Sequence, residues 1–184
     1  MPALIIVGAI AVGAIAFAVV FNGLVSKRNE VDNAWAQIDV QLKRRHDLIP
    51  NLVETVKGYA RHERELFERI TSARASAMRA EGPKAQSEAE NALTSTLRSL
   101  FAVAENYPKL QASQNFLALQ LELSGTEDRI AAARQFYNDA VYLLNTRVQT
   151  LPGNLVAAFF SSFRARQYFS DPDAHARGPV DVRF

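Results

Sequence analysis

VDNAWAQIDVQLKRRHDLIPNLVETVKGYARHERELFERITSARASA, residues 31–77, is the stretch that decides the fold. Steps of four and three from Val31 visit Trp35, Ile38, Leu42, Arg45, Ile49, Leu52, Val56, Tyr59, Glu63, Leu66, Ile70, Ala73 and Ala77. Twelve of these fourteen positions are apolar or aromatic. That spacing keeps one stripe on one face of an α-helix, so it predicts a single amphipathic helix of about fifty residues. Only Arg45 and Glu63 interrupt the stripe. Pro50 removes one backbone hydrogen bond and predicts a bend or restart over residues 46–50, and the unchanged phase on either side favours a bend. Glu81-Gly82-Pro83 is the first real stop.

Ahead of this helix, residues 3–21 carry no charge and no hydrogen-bonding side chain, and Lys27 and Arg28 are the first cations after them. At about 1.5 Å per residue a helix over residues 3–25 covers the roughly 30 Å hydrocarbon core of a bilayer, which predicts a transmembrane anchor over residues 1–26. A secretory signal peptide is the competing reading, because Ala16 and Ala18 form a small-x-small pair. Against it, no charged residue opens the run, and the run is longer than a usual signal core. Lys27, Arg28, Lys43, Arg44 and Arg45 all follow the span, so the N-terminus is expected outside and the C-terminal body in the cytoplasm. Within the span, the pairs Ala9 with Gly13 and Ala14 with Ala18 allow close approach of another helix.

Downstream, a second helix is expected over residues 84–106, with Leu93, Leu97, Leu100, Ala104 and Tyr107 on one face and Pro108 closing it. The stepping resumes through Phe116, Leu119, Leu123, Glu127, Ile130, Arg134, Tyr137, Val141, Leu144, Val148 and Leu151. Gly125 lies inside that track without shifting its phase, which predicts one long helix carrying a glycine that costs about 1 kcal/mol relative to Ala. Pro152-Gly153-Asn154 ends it, and a short helix over residues 155–167 follows, rich in Phe159, Phe160 and Phe163. That helix reads as a lid on the core or as an interfacial membrane helix. Residues 170–184 are expected to be a disordered tail.

The expected protein is therefore all-α: an anchor over residues 1–26, a helical bundle over 27–169 and a tail over 170–184. Helices of about 75, 35 and 65 Å cannot be flush, so their stripes need cover from another copy, and a homo-oligomer is expected. Trp35, Ile38, Leu42, Ile49, Leu52, Val56 and Tyr59 on the first long helix would carry the core and the self-association, with Ile130, Tyr137, Val141 and Leu144 on the third.

The chain has no cysteine, which excludes disulfides, thiolate zinc sites and cysteine nucleophiles. Its net charge of +2 comes from interspersed signs, so no nucleic-acid partner is expected; Lys43, Arg44 and Arg45 read as a solvated face near lipid headgroups. None of the histidines follows a carboxylate by three residues, and no glycine-rich loop or nucleophile elbow occurs. No catalytic residue, metal or cofactor is expected. Arg45, Glu63, Glu127 and Arg134 stand on otherwise apolar tracks; a structural network of ion pairs explains them more simply than a ligand or proton site. Asn138 and Asn145, one heptad apart, read as polar contacts along a helix face.

The run Arg45-x-Asp47-Leu48-Ile49-Pro50-Asn51-Leu52-Val53, then Lys57-x-Tyr59 and His62-Glu63, resembles the LemA family of bacterial membrane proteins. Ala73-Arg74, Tyr107-Pro108-x-Leu110, Thr126-Glu127-x-x-Ile130, Ala133-Arg134-x-x-Tyr137-Asn138 and Phe159-Phe160 agree in order and spacing, so the resemblance covers residues 24–169. Leu144-Asn145 departs from it, where the family has an aromatic before the Asn. The resemblance implies an N-terminal anchor and an elongated up-and-down four-helix domain, with no agreed enzymatic activity and with relatives in the membrane compartments of magnetic bacteria. It points to a non-enzymatic scaffold that self-associates at the bacterial inner membrane, in envelope or membrane organisation. A regulatory adaptor of another membrane protein, such as a protease, kinase or transporter, is the alternative.

Overall fold

The computed structural model describes residues 1–169; the expected tail over 170–184 lies outside the described residues. The described residues form α1 (Pro2–Lys57), α2 (Arg64–Arg79), α3 (Pro83–Ala104), α4 (Pro108–Gln111), α5 (Gln114–Gln149) and α6 (Gly153–Phe159), with no strand among them. The all-helical expectation holds. α5 runs unbroken through Gly125, as its constant phase predicts.

The long apolar segment and the first core helix are one helix. No glycine or proline lies between Leu24 and Ile49, so nothing interrupts the hydrogen-bond ladder, and the expected division after residue 26 corresponds to no break. Residues 2–19 are exposed along their whole length, whereas Leu24 is fully buried.

At its other end α1 corrects the expectation of one helix over residues 31–77. It stops at Lys57, and residues 58–63 form a turn before α2. Past the last helical residue the Tyr59 and Ala60 amides both donate back to the Val56 carbonyl, at 3.0 and 2.9 Å, which closes the helix end. The six-residue turn restores the phase for Leu66 and Ile70, so the stripe survives without a continuous helix. Ala60 is buried in the turn, and Tyr59, expected in the core, is 44% exposed.

Pro50 does not end α1. Lacking an amide hydrogen, it leaves the carbonyl four residues earlier, on His46, without a helical donor. Arg74 of α2 supplies one, its Nε donating to His46 O at 2.7 Å. Further along, Gly82 takes φ of +83°, a conformation that favours glycine, and Pro83 opens α3 directly after it.

The chain divides into two compact units. One comprises Met1–Gln37 and Ala133–Gln167. In it Leu24, Val156 and Phe163 are buried together against Val20, Phe21 and Val148, and Trp35 meets Tyr137 edge-on at 5.4 Å between ring centres. At Gly153 a Cβ would collide with the Arg147 carbonyl oxygen, so only glycine lets the chain turn back there. α6 is shorter than the expected helix over 155–167; it ends at Phe159, and Phe160 is extended. The backbone beyond is held by side chains of α5: Asn145 Nδ2 donates to Arg166 O at 3.0 Å, Asn145 Oδ1 accepts from Arg166 N at 2.8 Å, and Tyr137 OH donates to Gln167 O at 2.9 Å. Those bonds replace the helical ones.

The other unit comprises Ile38–Ala132 with Tyr168 and Phe169. Its core joins Ile49, Leu52 and Val56 of α1, Leu66, Phe67 and Ile70 of α2, Leu93, Leu97 and Leu100 of α3, and Phe116 and Leu123 of α5.

Removing Arg74 leaves the His46 carbonyl without a donor, so Arg74→Ala should destabilise by about 1 to 3 kcal/mol. In a Pro50→Ala background residue 50 regains its amide and bonds that carbonyl itself, and the same substitution should then cost less. A double-mutant cycle by denaturant unfolding in detergent micelles measures the coupling; equal costs in both backgrounds would refute the pairing.

Candidate functional site: a buried charge network

The interior of the unit Ile38–Ala132 is not wholly apolar. Glu90, on the inward face of α3 three residues before Leu93, is completely buried. Its Oε2 accepts from Arg45 Nη1 at 2.9 Å, and its Oε1 accepts from His46 Nε2 at 2.8 Å and from Gln86 Nε2 at 3.1 Å. An ionised carboxylate can only accept, which places a proton on His46 Nε2. Arg45 Nη2 donates to Thr94 Oγ1 at 2.7 Å and lies 3.3 Å from Glu127 Oε2 on α5. Gln86 also donates to the Ala77 carbonyl in the last turn of α2 at 3.1 Å. One network thus ties α1, α2, α3 and α5.

Burial pushes the Glu90 carboxyl up, but the His46 hydrogen bond, the charges of Arg45 and His46, and the Gln86 hydrogen bond together outweigh it. They hold the group below the ordinary glutamate value. Beside Arg45 opens a cavity of about 310 Å³, whose walls include Thr94, Arg98, Phe101, Gln120, Ser124 and Glu127. Thr94 and Ser124 present hydroxyls, and no histidine is among the lining residues to activate either. Arg45 and Glu127 face one another across its edge, so their charges offset locally.

Of the four polar track positions, the structure brings together Arg45 and Glu127. Glu63 is not in this network: the turn over residues 58–63 takes it off the helix stripe to the cap position of α2. Arg134 belongs to the other unit and is half-buried there. Glu90, Gln86, His46 and Arg74 are the members that sequence reasoning missed. Stepping backward from Leu93 on the same face of α3 reaches Glu90 and then Gln86, a signal that starting at the first leucine overlooks.

The track residues are placed as core. Ile38, Leu42, Ile49, Leu52, Val56 and Ile130 are buried in this unit, and Tyr137, Val141 and Leu144 in the other, where Trp35 is half-buried. Within the single chain these side chains serve as core. In the unit Met1–Gln37 with Ala133–Gln167, burial pushes the Tyr137 phenol up, opposed by the Arg166 charge and reinforced by Asp32. Arg166 itself bonds Asp32 at 3.1 Å.

Fold and network define a class: an all-helical protein whose long apolar N-terminal helix continues into a core stitched by buried charges. Residues 34–184 match the LemA family, and the chain belongs to it. It is 30% identical over 137 residues to Protein LemA of Metamycoplasma hominis, a match covering 74% of this chain and 63% of that protein. It is 25% identical over 180 residues to Magnetosome protein MamQ 2 of Paramagnetospirillum magneticum, covering 84% of this chain and 66% of that one. Magnetosome protein MamQ of Magnetospirillum gryphiswaldense is 23% identical over 180 residues. The chain thus spans less than two thirds of the length of the first two of these relatives.

Truncating one partner of the buried pair leaves the other charge unpaired, so Glu90→Ala should cost about 3 to 5 kcal/mol. Glu127→Gln, at a carboxylate 42% exposed, should cost under about 1 kcal/mol. Because the folded Glu90 value is depressed, its stabilisation is full above the unfolded-state glutamate pKa of about 4.3 and is lost as pH falls through the lower folded value. The stability gap between wild type and Glu90→Gln, followed by denaturant unfolding from pH 7 to 3, should close on the acid side; a gap unchanged throughout would contradict the pairing.

Proposed function

We propose that this chain is a single-pass, membrane-anchored, non-enzymatic helical scaffold, with its N-terminus outside and its body in the cytoplasm, which self-associates to organise the membrane that holds it. The observation that carries this reading is the continuity of α1: a fully exposed apolar segment, long enough to span a bilayer, passes without interruption into a helix whose later residues are core. A loosely tethered catalytic domain has no need of such a join. The buried charges support the same reading, because Glu90, His46, Gln86 and Arg74 bond one another or the backbone, as an architectural network does. Surface for assembly is available elsewhere on α5. Leu117 and Leu121, one turn apart, are exposed in the unit Ile38–Ala132, and Phe136, Tyr142 and Leu143 are exposed in the other. The relatives named as magnetosome proteins lend the membrane-organising role further support.

Chemical cross-linking in native membranes should give ladders of the chain with itself, and native mass measurement after extraction should find more than one copy. Leu117→Glu combined with Leu121→Glu should shift that distribution to smaller species while leaving thermal unfolding of the body nearly unchanged. A monodisperse monomer would end the scaffold reading; one defined hetero-species would replace it with the adaptor.

A further inference from the structure

We propose that α6 and the residues on either side of it form a wedge inserted into the bilayer, alongside the span and at the depth of the acyl-chain boundary. The inference rests on the reading of α1 as a membrane anchor. Residues 148–163 are sixteen consecutive positions without a charge, bounded by Arg147 and Arg164. α6 within them is two-faced. Val156 is buried against Leu24, whereas Leu155 is 59% and Phe159 81% exposed, and Leu151 just before the helix is 72% exposed. A water-facing surface of that composition is costly, and it needs a cover.

The contacts of α6 identify the cover. Phe160 meets Phe21 edge-on at 5.2 Å and Phe17 at 6.3 Å, and Phe163 meets Phe21 at 5.4 Å. Phe17 and Phe21 belong to the uncharged segment that runs up to Lys27, and eleven positions, about 16 Å of helix, separate Phe17 from Arg28. With Lys27 and Arg28 at the headgroups, Phe17 lies inside the hydrocarbon, and whatever touches it on its lipid side lies in the membrane. Cations mark the level above. Arg28 stands 6.0 Å over the Phe163 ring, and the Arg147 guanidinium reaches to within 3.3 Å of where a Cβ on Gly23 would sit. Arg28 and Arg147 thus stand at headgroup height while the aromatic tip lies below them, the arrangement of an interfacial insertion. The occupant of this apolar face is the cytoplasmic leaflet's acyl-chain boundary; anionic headgroups meet the arginines.

The absence of cysteine makes the test clean. Full-length Leu155→Cys and Phe159→Cys would each carry an environment-sensitive fluorophore, with Ile10→Cys as a marker of the span and Gln37→Cys, exposed about 30 Å further along α1 from Phe17, as the water control. The proteins are reconstituted into vesicles of phosphatidylcholine and phosphatidylglycerol. Labels at 155 and 159 should be blue-shifted, should lose most of their emission to a nitroxide near the headgroup end of the acyl chain, and should resist iodide; the label at 37 should behave in the opposite way. If 155 and 159 are quenched by iodide and not by the lipid nitroxide while 10 responds to a deep nitroxide, the wedge is wrong and the anchor stands. Protection from both quenchers would mean that protein covers the face, and would overturn the wedge as well. A label at 10 open to iodide would bring down anchor and wedge together.

Discussion

A carboxylate with no access to water sets the terms for the unit Ile38–Ala132. Glu90 is wholly buried, and an isolated ionised group there would cost several kcal/mol, so its neighbours must be in place whenever the unit is folded. Arg45 and His46 are adjacent on α1, and each meets a different oxygen of Glu90. A slip of α1 by a single residue turns its side chains by about 100° and removes both. Leucine stripes alone tolerate slips of a turn or a heptad, because these keep the stripe on its face and one apolar contact replaces another, whereas such slips too would take Arg45 and His46 away from Glu90. The charge network thus supplies a register that the surrounding hydrophobic core specifies only weakly, while adding little net stability of its own.

The same economy of partners governs the backbone. Pro50 leaves the His46 carbonyl without its helical donor inside a folded helix, and the Arg74 guanidinium supplies the missing hydrogen. Since His46 also bonds Glu90 through its side chain, α2 is tied to the residue on which the buried carboxylate depends. In the unit Met1–Gln37 with Ala133–Gln167, Asn145 plays a corresponding part for Arg166, its amide side chain satisfying both the amide and the carbonyl of a residue outside any helix. Neither arrangement shows in hydrophobic periodicity. Each is a polar side chain answering a backbone group that local structure has left unpaired.

Periodicity did reveal the helical class, the glycine-tolerant course of α5 and the core membership of residues such as Ile49, Leu52, Val141 and Leu144. It overran at Gly58, because a short turn that returns the stripe to phase is indistinguishable, by stepping alone, from a helix that never stopped. It overran again beyond Phe159, where the aromatic residues suggest continued helix and the competing bonds come from α5, far away in the sequence. Within the charge network, Arg45 and Glu127 were legible as intrusions into apolar tracks, and Glu90 would have been had the track on α3 been followed to its first turn. Glu63 and Arg134 look identical to them on the page, since periodicity reports which face a residue occupies and not what stands opposite.

The continuity of α1 also constrains how another helix could approach its apolar segment. At about 100° per residue, Gly13 lies within about 20° of the direction of Leu24, and Phe17 lies about as far from it on the other side. Leu24 and Phe17 are the residues against which the segment around α6 is placed, Leu24 beside Val156 and Phe17 beside Phe160. A second helix using the small pair Ala9 and Gly13 would therefore come up beneath the aromatic tip and meet Phe160 above it. The pair Ala14 and Ala18 points about 80 to 120° away from Leu24, clear of that tip. Of the two small-residue faces in this apolar segment, only the one turned from α6 leaves room for another helix to run along its whole length.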